Sequence, residues 1–186
     1  MSYRLTFALI AILLMLGGYT YILSIRGDVE DSAESTRIWF YDSDPDEVNL
    51  IKITYFGDSQ TFVKAGPGDW RYDDVNGSEV GPRFAGTSLL ASGAQSARVV
   101  VEDPSMQDLQ DFGLTDPTFS MVVGFTTGEM VRIFLGSMTA DGKYNYAQKV
   151  EDTRVFLMDQ IWGEVLAEMV TDPPLPTTPT PETSDS

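Results

Sequence analysis

FSMVVGFTTGEMVRIFL, residues 119–135, reads as a β-hairpin and decides the fold class. Phe119, Met121, Val123 and Phe125 alternate along one strand, so they share a face. Thr126-Thr127-Gly128-Glu129 turns the chain, and Val131, Ile133 and Leu135 alternate on the way back. Such a one-sided pattern belongs to an antiparallel sheet that buries one face.

Downstream, a loop is expected over 136–142, then strands at 144–150 and 154–158 joined across Glu151-Asp152. Asp159 is expected to cap a helix carrying Ile161, Trp162, Val165, Leu166, Met169 and Val170 in one apolar stripe, which would cover a sheet face. Upstream, Val99-Val100-Val101 is expected to be a buried strand. Asp103 is expected to cap a helix that has Pro104 in its first position, is lined by Met106, Leu109 and Phe112, and is closed by Gly113. Within 80–91 the chain suggests a short helix opened by Pro82, weakened by Gly81, Gly86 and several serines.

Further upstream, Arg37 to Tyr41 is rich in β-formers, and Asp42 to Glu47 is a turn. Ile51, Ile53 and Tyr55 alternate, Gly57-Asp58 turns the chain into 60–64, and a glycine-proline loop precedes a short strand at 70–72. The expected architecture over 37–170 is α+β, one mainly antiparallel sheet covered by two or three helices.

The amino-terminal end has a different character. Leu5 to Ile25 is a run of 21 residues without a charge, bounded by Arg4 and Arg26. A helix of that length reaches about 30 Å, the thickness of a bilayer's hydrocarbon core. Residues 1–26 are therefore expected to be a single transmembrane anchor in the lipid bilayer, with Leu5, Phe7, Leu9, Leu13 and Leu16 as apolar surface. Tyr19 and Tyr21 lie near one end, as interfacial aromatics do. Arg4 precedes the span, and Asp28, Glu30, Asp31 and Glu34 follow Arg26. That asymmetry favours a cytoplasmic amino terminus and an extracytoplasmic domain. A cleaved signal peptide competes, because Phe7 to Leu16 has the length of its apolar core. No A-x-A-like site follows, however, and residues 18–23 are bulky where a peptidase wants small ones. Ala11 and Gly18, seven apart, share a helix face on which a second transmembrane helix could approach, although such residues are also ordinary in lipid-facing helices. Residues 27–36 read as an acidic linker, and the proline- and threonine-rich 171–186 as a disordered tail.

Composition narrows the function. The chain has no cysteine and no histidine, which removes Ser-His and Cys-His catalysis and the imidazole and thiolate metal sites. The net charge is −16; all 28 acids lie beyond residue 26. Such a surface repels nucleic acid and anionic headgroups and suits a basic protein face or bound cations. Asp42, Asp44, Asp46 and Glu47 resemble a calcium loop only briefly: Glu47 stands where an EF-hand needs glycine, and Ile53 where it needs glutamate. The run reads as a wet turn, and no metal, cofactor or catalytic residue is expected. Asn76-Gly77-Ser78 fits a glycosylation sequon but is first a turn.

Several motifs occur in a distinctive order: Asp42 to Val48, Trp70, Glu102-Asp103-Pro104, Phe112 to Pro117, Gly128, Leu135-Gly136, Tyr144 to Ala147 and Val155 to Leu157. In this the chain resembles a bacterial domain-of-unknown-function family, found as repeats in auxiliary proteins encoded beside ABC-type transport and gliding-motility systems. The resemblance implies one amino-terminal transmembrane helix and an extracytoplasmic α+β domain, with no established catalytic residues. Residues 80–97 depart from the family's longer alanine- and leucine-rich helix.

The expected function is a non-enzymatic accessory subunit docking on an integral membrane protein complex, a transporter or an energy-transducing assembly. An envelope sensor of cations or small ligands and a carboxylate-based hydrolase are the alternatives. Trp39, Tyr41, Phe56, Trp70, Tyr72, Tyr144 and Tyr146 are more aromatics than one alternating sheet face would bury. Of these, Trp39 and Tyr41 are the first candidates for partner contacts.

Overall fold

The computed structural model of the chain describes residues 38–176. The anchor residues Leu5, Phe7, Leu9, Leu13, Leu16, Tyr19 and Tyr21, the small residues Ala11 and Gly18, and the 27–36 linker lie outside the described residues. Among the described residues, no helix is long and apolar enough to cross a membrane.

Over the described residues the fold is α+β, a single antiparallel sheet with three helices. The strands are β1 (Ile38–Asp42), β2 (Val48–Tyr55), β3 (Asp58–Gly66), β4 (Asp69–Tyr72), β5 (Gly93–Val101), β6 (Phe119–Phe125), β7 (Met130–Met138), β8 (Tyr144–Lys149) and β9 (Val155–Asp159). The helices are α1 (Phe84–Leu90), α2 (Met106–Asp111) and α3 (Gln160–Thr171). Nine strands lie in the order β1-β5-β9-β8-β7-β6-β2-β3-β4. The hairpin read from 119–135 holds: Phe119 faces Leu135, Met121 faces Ile133 and Val123 faces Val131. All six are buried.

The topology forces curvature. β1 and β2 are six places apart in the sheet, which would separate them by about 29 Å if the sheet were flat. Only Ser43 to Glu47 joins them, a span of at most about 22 Å even when fully extended. That connection is also folded, with the Glu47 amide donating to the Asp44 carbonyl at 2.9 Å. The sheet therefore rolls into a trough. Tyr41 on β1 meets Phe125 on β6 across it, ring centroids 5.7 Å apart, and Lys149 Nζ on β8 donates to the Phe40 carbonyl on β1 at 3.0 Å.

The inner face of the trough holds the core. Ile51, Ile53, Phe62, Phe119, Met121, Ile133 and Phe156 are all buried there. Helix α3 lies on β2, β3, β8 and β9. Asp159 caps it as expected, its Oδ1 accepting the Ile161 amide at 2.9 Å. Trp162, Leu166 and Met169 point inward, and Gly163 lets the helix approach until an added Cβ would sit 2.7 Å from Leu135 Cδ1. Ile161, placed in the apolar stripe by its spacing, is 66% exposed. At 100° per residue it shares the exposed side of the helix with Glu164 and Glu168, away from Trp162, Leu166 and Met169.

Other expectations need correction. Helix α2 is capped by Ser105, not Asp103: Ser105 Oγ accepts the Asp108 amide, and Asp108 Oδ2 accepts the Ser105 amide at 2.8 Å. That reciprocal pair satisfies two amides that Asp103 and Pro104 would leave unpaired. The helix buries none of its residues, and Met106 is exposed. Strand β5 is nine residues long and buries Ala94 and Ser96; the valines at 99–101 are half-buried. Strand β7 runs on to Met138, through residues read as a loop, because Met138 pairs with Asn145. Residues 172–174, read as the start of a disordered tail, are tied down. Arg83 pairs with Asp172 at 2.7 Å, and the Tyr72 hydroxyl and the Gly81 amide both donate to the Pro174 carbonyl.

The outer face is buttressed at one place. Phe112 stacks on Tyr146 with centroids 4.2 Å apart, Gly113 takes φ +69° to end the helix, and the Ser137 amide donates to the Phe112 carbonyl at 2.7 Å. A Cβ at Gly136 would overlap that carbonyl. Tyr146 is paired in turn with Leu157. Three stretches far apart in the chain, Phe112-Gly113, Gly136-Ser137 and Tyr146, thus meet in one contact.

Two substitutions on α3 separate burial from spacing. Leu166→Ala should lower stability by about 2–5 kcal/mol, and Ile161→Ala should change it by no more than about 0.5 kcal/mol. Urea midpoints measure both, and equal losses would contradict this helix orientation.

Candidate functional site

Trp39 and Tyr41 are two apart on β1, so simple alternation would put them side by side. A register shift between them breaks the alternation. As a result Phe40 is buried, with its ring 4.7 Å from Phe156, while Tyr41 also turns inward. The Tyr41 hydroxyl donates to the Ala91 carbonyl at 2.7 Å. Burial pushes its phenol above the ordinary tyrosine range. Tyr41 is therefore engaged inside the fold, tying the edge strand to the end of α1.

Trp39 turns the other way and is 48% exposed. Its ring lies over Gly93 on β5, where an added Cβ would sit 2.8 Å from Trp39 Cζ3. Beside it Leu89 is 64% exposed at the end of α1. Between them lies an open cavity of about 370 Å³, lined by Trp39, Asp42, Gly86, Leu89, Leu90 and Gly93. Gly86 and Gly93 leave the gap, and the tryptophan and leucines make its walls apolar. Reasoning from the sequence picked out Trp39 but missed Leu89 and Leu90. Their signal was present, two adjacent leucines in a segment whose glycines and serines leave a helix little else to bury.

A second cavity of about 200 Å³ lies at the other sheet edge, between β4 and α1. Its carboxylates, Asp69 and Glu79, lie 3.2 and 3.9 Å from Arg71 Nη2. Trp70 and Phe84 form its floor with their rings edge to face. Tyr72 and Trp70 are buried beneath α1, which accounts for two of the surplus aromatics.

The acidic turn at 42–47 is organised around a cation. Lys64 Nζ donates to Asp46 Oδ1 at 3.0 Å and to the Pro45 and Asp46 carbonyls. The Lys64 side chain is largely covered, so the ammonium works as a staple on this turn. Among the described residues, no group of three or more acids, histidines or cysteines is placed to hold a metal ion. Asp152 is held below the ordinary carboxylate range chiefly because the Arg154 side chain donates to it, at 2.8 and 3.0 Å, against the opposing effect of burial.

No family model, no curated protein and no solved structure matches the chain.

Two measurements check these contacts. Tyr41→Phe leaves the buried Ala91 carbonyl without its donor and should cost about 1–3 kcal/mol; an unchanged urea midpoint would show that the bond is dispensable. Asp152 has a lowered pKa in the folded state, so its stabilisation is complete above the ordinary aspartate range, near pH 3.9, and disappears as pH falls through the lowered value. The stability gap between the native chain and Asp152→Asn should therefore be largest at pH 7 and vanish in acid. A gap that persisted at low pH would rule out the charged pair as its source.

Proposed function

We propose that this protein is a single-pass, membrane-anchored accessory subunit, non-enzymatic, whose extracytoplasmic α+β domain docks on a larger integral membrane protein complex. The observation that carries the reading is the uncharged run Leu5 to Ile25 between two arginines, with all 28 acids of the chain lying beyond it, in the linker, the domain and the tail. A helix there spans the hydrocarbon core once, and the charge asymmetry sets its direction. Ala11 and Gly18 form its contact face toward another transmembrane helix.

The Trp39–Leu89 surface supports the docking half of the reading. A half-exposed tryptophan walled by leucines is the kind of anchor on which interface energy concentrates. It also lies on the first strand after the acidic linker. Anchoring in a membrane raises the effective concentration of a partner in the same membrane, so a modest contact area is enough. The complex is a transporter or an energy-transducing assembly with a basic face toward the acidic domain.

The test is extraction of the full chain from its own membranes in mild detergent, followed by native mass spectrometry. Stoichiometric recovery with a larger membrane complex is expected, and Trp39→Ala with Leu89→Ser should reduce it without lowering the melting temperature. A chain that ran alone in several mild detergents, or a mature form beginning beyond Ser24, would remove this reading.

A further inference from the structure

The β2–β3 hairpin closes on Phe56-Gly57, with Tyr55 and Asp58 paired at its base. Phe56 has φ +48° and Gly57 φ +92°. Positive φ at both central residues is the mirror-image two-residue turn that matches strand twist, and its first position normally holds Asn, Asp or Gly. Gly57 meets that demand with open space around it. Phe56 does not, because a bulky side chain in the left-handed region crowds its own backbone. Burial does not offset the strain, since Phe56 is 69% exposed. Its ring has an edge contact with Tyr55, centroids 4.6 Å apart. Its amide donates to the Thr118 carbonyl at 2.8 Å, which fixes the turn's backbone against the chain entering β6. The fold thus holds an apolar ring in water on a strained residue, where asparagine would relieve both faults. Strain maintained at an exposed position is a mark of function.

We propose that Phe56 is a plug that enters an apolar pocket, rimmed by basic residues, on a protein partner. The inference rests on the docking reading above and names a contact residue for it. The surrounding charge selects protein over lipid. Asp58 beside the tip and Asp116 in the adjoining turn are both exposed, and the whole chain carries −16. Anionic headgroups repel such a tip, whereas a lysine- or arginine-lined rim attracts it and orients the ring. A single aromatic filling a desolvated pocket is enough to act as a hot spot.

Phe56→Asn in the full-length chain tests the proposal. Asparagine is at home in this turn, so the melting temperature should rise by about 2–4 °C. Binding to the co-purifying complex should weaken by about thirtyfold or more, the loss typical of a hot-spot residue. Benzoylphenylalanine at position 56 should photo-crosslink to a protein of that complex, and the same probe at the fully exposed Val75 should not. Unchanged recovery of the complex with Phe56→Asn overturns the plug and leaves the docking reading standing. A fall in melting temperature overturns the strain argument on which the plug depends. Crosslinks to lipid alone, or to a second copy of this chain, overturn it as well. If the native chain recovers no complex, the docking reading itself fails, and the plug fails with it.

Discussion

A five-residue connection joins two strands that stand six places apart in one sheet, and the rest of the structure follows from that constraint. The sheet must roll until β1 comes within reach of β2. Rolling converts a broad apolar face into a closed trough, where Phe40, Phe62, Phe119 and Phe156 are all withdrawn from water. Helix α3 fits that trough because Gly163 lets its backbone approach β7 closely. The turn that imposes the roll is held by Lys64, whose ammonium takes three oxygens of Pro45 and Asp46. In a chain of net charge −16, one covered lysine thus serves the segment on which the curvature depends.

The two faces of the sheet are stabilised differently. The inner face relies on buried area, which is non-directional and tolerates small rearrangements. The outer face relies on one close backbone contact, Phe112 and Gly113 against Gly136 and Ser137, with Phe112 stacked on Tyr146. That contact admits no Cβ at position 136 and needs a left-handed residue at 113. It gives a physical reason for the sequence patterns Phe-Gly-Leu and Leu-Gly to occur together.

Among the described residues, Trp39 and Phe56 are the aromatic side chains in the set of exposed large hydrophobics. Trp39 stands on an edge strand beside Leu89, and Phe56 stands at a hairpin tip. Each has an acid close by, Asp42 beside Trp39 and Asp58 beside Phe56.

Much of this was legible in the chain because strands and helices leave periodic signatures. The period-two runs at 119–125 and 131–135, the cap at Asp159 and the left-handed Gly113 all follow from local rules that tertiary packing did not override, whereas the turn read at Gly57-Asp58 is centred one residue earlier, on Phe56-Gly57. Where the reading failed, non-local contacts decided. Ile161 fits the apolar spacing but lies on the helix side of exposed Glu164 and Glu168, and packing of the opposite side on the sheet leaves it in water. Residues 136–138 look like a loop and become strand because β8 offers partners. Trp39 and Tyr41 look equivalent until a register shift sends one outward and the other inward. Fold class, charge and residue chemistry could all be read from the chain, because each depends on near neighbours or on composition. Which aromatics stay in water was settled by packing at a distance, because exposure depends on how far the sheet curls and on what the curl brings across from the other side.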